Sequence, residues 1–186
     1  VFVLLSVLSG DLLRLSHAGF EVAFPILTSI AASEWGRSRT DDNFAIIAAQ
    51  SRSLFRWVLY RFLAVFLEAA AFALMVMLIV SVLGQEMQVS EMLLLYLSPA
   101  FFLSTISVLF GVCFSQEHIA TLFCGMLWML VLMAPSLVQL PGVEYFYLFI
   151  RFVGDPNDVW IINKVILGVL SLLLWRIVYR ICESLS

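Results

Sequence analysis

The sequence predicts an all-α integral membrane protein, and three observations carry that expectation. Of the 186 residues, 63% are hydrophobic and 12% are charged, whereas soluble domains run nearer half and a quarter. The apolar residues fall in runs long enough to cross about 30 Å of hydrocarbon as helices. Between those runs stand turn and helix-cap residues, with no strand-like alternation and no internal repeat. A mean hydropathy of +1.06 leaves too little polar surface to coat a water-soluble globule of this size. Bilayer lipid as solvent removes that conflict. The net charge of −3 includes no basic patch, which speaks against a nucleic-acid partner.

The elements follow in order. Val1–Ser9 reads as the outer end of a first span that is largely missing from this chain. Asp11, Arg14 and His17 then interrupt the run. Residues 18–35 form a short second span with Pro25 inside it, a residue that membrane helices tolerate when neighbours re-satisfy the freed carbonyl. From Glu34 to Arg56 the chain turns polar, with Arg37, Arg39, Asp41, Asp42 and Arg52. Within this stretch Asp41-Asp42-Asn43 supplies N-cap chemistry for a helix over 41–49. Phe44, Ile47 and Ala48 give that helix one apolar face. Gln50-Ser51-Arg52-Ser53 is a turn.

Residues 57–83 form the third span and 92–115 the fourth, with Pro99 inside. Gln116-Glu117-His118 is a tight connection. Residues 119–140 form the fifth span, closed by the Pro141-Gly142 turn. The segment 143–164 is aromatic-rich yet charged. It reads as short interfacial or re-entrant helices, the depth that Tyr and Trp favour. Residues 165–182 form the last span. The whole is expected to be one transmembrane domain, with six spans in its parent topology.

Positive charge sets orientation. If the 34–56 loop is cytoplasmic, Arg37, Arg39, Arg52, Arg56, Arg61, Arg176 and Arg180 share its side, and only Arg14, Arg151 and Lys164 oppose them. The loop and the C-terminus are therefore expected to face the cytoplasm of a cell-membrane protein.

Few residues invite chemistry. Glu68 reads as the one acid deep in a span, where an ionised carboxylate must face protein or water. It is read either as a pathway residue or as a structural partner of another helix. Arg61, Arg176 and Arg180 are placed to snorkel. His17 and His118 lack acid or thiol neighbours at ligand spacing, so no metal site is expected. Cys113, Cys124 and Cys182 read as small packing residues. There is no H-E-x-x-H, no G-x-S-x-G and no G-x-x-x-x-G-K-[ST], so neither hydrolytic chemistry nor a nucleotide site is expected in this chain.

The stretch from Phe24 to Leu67 resembles ABC-2-type transporter permeases. Those subunits end their second span in a glutamate-containing segment, here Glu34. A polar stretch follows, then a short apolar helix, here Ala45-Ile46-Ile47-Ala48-Ala49, and a Ser-Arg turn, here Ser51-Arg52-Ser53. Trp35-Gly36-Arg37-Ser38-Arg39-Thr40 departs from the Gly-Thr that the family places after its glutamate. The resemblance implies a six-span ABC-2-type bundle, probed from the cytoplasm by separate ATPase subunits that hold ATP and Mg. It implies a second permease, identical or homologous, and a helix over 41–49 seated in a groove on the ATPase. The coupling residues would be Glu34, Asp41, Asp42, Phe44, Ile47, Ala48 and Arg52, with Glu117 and His118 as a smaller contact. No cofactor is expected in the chain itself. The competing reading is a non-transporting anchor, assembly or sensory subunit, in which helix 41–49 lies in the headgroups.

Overall fold

The computed structural model describes residues 18–35, 46, 54–82, 89–114, 118–154 and 159–185. The expected features at Val1–Ser9, Asp41, Asp42, Phe44, Ile47, Ala48, Arg52 and Glu117 lie outside them, and of helix 41–49 only Ile46 is described.

All regular structure among the described residues is helical. A π-helical turn, Ala18–Ala23, leads into α1, Phe24–Trp35. Then come α2, Leu54–Val82, α3, Val89–Cys113, and α4, Ile119–Met133. Two 3-10 turns, Pro135–Gln139 and Val143–Tyr145, precede α5, Ile150–Val153, and α6, Trp160–Leu185, completes the set. Three of these helices, α2, α3 and α6, are long and apolar enough to cross a membrane, and α4 is a shorter apolar helix.

Helix α3 is the hub. It packs most extensively against α1 and α6 and also touches α2 and α4. Of its most apolar stretch 50% is buried, against 28% for α2 and 33% for α6. The outer helices therefore keep Leu67, Leu78, Leu122, Met126, Leu172 and Leu173 exposed. An apolar surface of that breadth suits lipid and not water. Small buried residues on α1 and α3, among them Ser29, Ala32, Ala100 and Ser104, let the backbones approach, as membrane helices do in place of hydrophobic collapse.

The buried face of α2 reads Leu54, Val58, Phe62, Val65, Ala73, Met77 and Val80, a repeat of three and four residues that keeps one stripe inward. At one end of the bundle Leu54, Val58 and Phe62 meet Val108 and Val112 of α3 and Trp175, Val178 and Cys182 of α6. Phe62 lies edge-on to Trp175 at 4.8 Å between centroids. At the other end Phe20 meets Ala73 and Met77 of α2 and Met92, Leu95 and Tyr96 of α3. The helices thus alternate in direction. Cys124 and Cys182 are buried and Cys113 is half-buried, and none of the three is joined in a disulfide among the described residues.

Helix α4 stops at Met133 because Pro135 restricts the residue before it. Ala134 sits at φ −117°, ψ 52°, outside the helical region. The chain then turns at Gly142, whose φ of +86° a residue with a Cβ would adopt only at a cost. Beyond it Tyr147, Leu148, Phe149 and Ile150 fold back into the bundle with Val22, Leu103 and Leu167. They fill a gap, since α4 and α6 make almost no direct contact with each other. Helix α6 starts at Trp160, so the residues 160–164, expected in the outer segment, form its first turn.

Candidate functional site

Two polar clusters stand out, one at each end of α1. The first joins Glu34, one residue from the end of α1, to the start of α4. The Glu34 Oε1 accepts a hydrogen bond from Thr121 Oγ1 at 2.8 Å and lies 3.0 Å from His118 Nδ1. Ser33 Oγ is 2.6 Å from the same Thr121 hydroxyl. His118 itself sits at φ +61°, ψ 0°, a left-handed conformation that His adopts more readily than most side chains. From there its carbonyl accepts the Leu122 N–H at 2.9 Å, and its ring faces back to Glu34. The pair is partly solvated, with His118 56% and Glu34 28% exposed, so its worth is positional more than energetic. Two of the residues expected to meet a partner, Glu34 and His118, are thus brought together.

The second cluster lies at the opposite end of α1, among residues that no sequence motif links. Glu21, in the π-helical turn, is fully buried, and Lys164 on the first turn of α6 is 2% exposed. They form an ion pair. Lys164 Nζ also donates to the Leu148 carbonyl at 3.1 Å. The two carboxylate oxygens of Glu21 accept the backbone N–H groups of Arg151 at 3.2 Å and Phe152 at 2.6 Å. Those amides belong to the first turn of α5 and have no partner within the helix. Glu21 therefore serves as an N-cap supplied from another helix. Next to Lys164, Asn163 Nδ2 donates to the Glu144 and Tyr147 carbonyls at 2.9 and 2.8 Å. Trp128 Nε1 donates to the Val22 carbonyl at 3.0 Å, and the Tyr147 hydroxyl donates to the Val131 carbonyl.

Together these bonds stitch α1, α4 and α6 to the re-entrant segment. Arg151 extends the stitching outward, 3.6 Å from Glu91 at the start of α3 and over the Trp160 ring at 5.5 Å. The cluster holds a buried charge pair whose carboxylate also caps two backbone amides. Its chemistry is that of a clamp.

Glu68 stands apart from both clusters. It is exposed on α2 and has no hydrogen bond or ion pair among the described residues. It lines a groove between α1 and α2 of about 310 Å³ with Phe24, Leu27, Ala31, Val65 and Phe72. Among the described residues no group of His, Cys, Asp and Glu is placed to hold a metal.

Comparison with protein-family models, with curated proteins and with solved structures finds no match to this chain.

Breaking the buried pair on one side leaves a charge without a partner. Lys164→Met is expected to lower stability in detergent unfolding by about 3–5 kcal/mol, and Glu21→Gln added to it to recover most of the loss. Amide hydrogen exchange at Arg151 and Phe152 should rise in the single variant. A loss of under about 1 kcal/mol would be that of a surface pair and would contradict the clamp.

The Tyr147 hydroxyl is pushed above its ordinary value of 10.0, first by burial and second by the negative charge of Glu21. The folded state then holds its proton more tightly than the unfolded chain does. Stability from Tyr147 is complete below pH 10 and is lost as the pH climbs beyond it. The wild-type chain should lose stability above about pH 10 more steeply than Tyr147→Phe, as read from thermal unfolding across pH 8 to 11.5.

Proposed function

We propose that the chain is the permease subunit of an ATP-driven ABC-2-type transporter, working as an exporter. Separate ATPase subunits would bind ATP and Mg and couple through the loop 34–56. A second permease, identical or homologous, would complete the membrane part, with the cargo path between the two. The loop and the C-terminus would face the cytoplasm, where the arginines concentrate.

The observation that carries this reading is the contact of Glu34 with His118 and Thr121. It ties the residue that opens the loop to the turn between α3 and α4. A push delivered to the loop would therefore reach α1 and α4 together. At its far end α1 is clamped through Glu21 to α6, so the push would tilt a braced helix instead of being absorbed by local bending. A helix bundle without a nucleotide motif needs such an entry point for work done by a partner. The apolar face that the sequence leads one to expect for a helix at 41–49, between basic flanks, would suit docking in a groove.

Purification in mild detergent, followed by ATP turnover in liposomes, tests the reading. An ATPase subunit should accompany the chain, and Ile47→Asp should abolish that association. Glu34→Ala and His118→Ala should leave the complex intact yet weaken coupled ATP turnover by about fivefold or more, the range of ordinary coupling free energies. A chain that purifies without an ATPase, and whose membranes show the same turnover with Ile47→Asp, would contradict it. An ATPase that binds but ignores both Glu34→Ala and His118→Ala would favour the anchoring subunit.

A further inference from the structure

The groove between α1 and α2 has the chemistry of a ligand site. Its walls are apolar, formed by Leu27, Ala31 and Val65 and by the paired rings of Phe24 and Phe72, whose centroids lie 6.1 Å apart at 39°. One ionisable side chain, Glu68, lines it, and that carboxyl has no partner among the described residues. Leu27 and Phe72 are 60% and 56% exposed, so the groove opens sideways, toward the acyl chains if the bundle sits in a bilayer. Glu68 lies 14 residues into α2, which runs Leu54–Val82, and is therefore near mid-helix. A carboxylate at that depth is costly unless it meets a counter-charge or a proton. Its own helix offers nothing within reach. Arg61 is about 10 Å away along the axis and stacks over Trp57 at 4.6 Å.

We propose that the α1–α2 groove binds a lipophilic organic cation, with the positive centre against Glu68 and the faces of Phe24 and Phe72, and the apolar body along Leu27, Ala31 and Val65. The match is of charge and of kind. A carboxylate neutralises the cation, the ring faces attract it through their quadrupoles, and apolar walls with a single oriented polar group are what small-molecule pockets commonly present. An uncharged ligand would leave an ionised Glu68 unmet, and an anion would be repelled by it. Among the described side chains that line the groove, an inorganic cation would find one carboxylate and one hydroxyl, that of Thr28, which is already bonded to the Phe24 carbonyl and to Tyr96. This binding stands apart from the transporter reading, because it needs only the chain in a membrane.

The test uses radiolabelled tetraphenylphosphonium, a permanently charged lipophilic cation, and the full chain in nanodiscs of zwitterionic lipid, with empty discs as the reference. Saturable binding of about one cation per chain is expected. Glu68→Gln, at an exposed position that the fold does not rely on, should weaken it at least tenfold. Phe72→Ala should weaken it severalfold, and Glu68→Asp should retain part of it. Uptake no greater than in empty discs, or equal binding by wild type and Glu68→Gln, would overturn the proposal. So would efficient disulfide cross-linking of Leu27→Cys between two chains in dilute discs on a cysteine-free background, because a second copy would then fill the groove.

Discussion

Two charges taken out of water cost several kcal/mol each unless geometry and hydrogen bonds return it, and Glu21 and Lys164 are both out of water. That constraint organises one end of the bundle. Glu21 has to be met by a cation and by N–H donors, and Lys164, Arg151 and Phe152 meet it. For the amides to arrive, the chain after α4 must fold back and begin a short helix under the carboxylate. For the ammonium to arrive, α6 must start at Trp160 and carry Lys164 inward on its first turn. The re-entrant segment, the start of α6 and the π-helical turn before α1 are thus parts of one solution. Asn163 and Trp128 secure the same elements through backbone carbonyls. Apolar packing by Tyr147, Leu148, Phe149 and Ile150 seals the gap between α4 and α6.

A helix fixed at both ends behaves as a strut. α1 is held at Glu21 by the buried pair and at Glu34 by His118 and Thr121. The two attachments differ in kind. The first is dry, multiply bonded and suited to permanence. The second is partly solvated and rests on a turn whose His118 is already left-handed, so it is easier to rearrange. Packing follows the same division, with α3 buried at the centre and α2 and α6 keeping broad apolar flanks for lipid.

The class of the fold was plain in composition, because the scarcity of polar residues leaves lipid as the only consistent solvent. The helices α2 and α3 were plain for a similar reason, as long apolar runs, although α2 begins at Leu54, inside the stretch expected to be polar loop. What escaped was every place where a polar residue is satisfied by something distant in sequence. Asn163 and Lys164 read as part of an outer loop, since hydropathy counts a polar side chain as exposed whatever it meets. Glu21 stands in an apolar run between Phe20 and Val22, close to the start of an expected span, where hydropathy alone does not tell a buried acid from a solvated one. One signal was available: two lone opposite charges, Glu21 and Lys164, fall at the same end of two expected spans. Tyr147 and Phe149 looked like interfacial aromatics and are instead buried, because the gap they fill exists only once α4 and α6 are in place. Glu34 and His118 were each singled out, but 84 residues separate them, and no local pattern shows that they touch.

The central claim is that the two clusters lie on opposite sides of the membrane, with α1 braced between them. Single cysteines at two exposed positions on a cysteine-free background address it most directly. Leu140→Cys marks the end that carries the Glu21–Lys164 clamp, and Phe114→Cys marks the end that carries Glu34 and His118. With a membrane-impermeant maleimide on intact cells, the account predicts labelling at residue 140 and labelling at residue 114 only after permeabilisation. Labelling of both positions from the same side would contradict it.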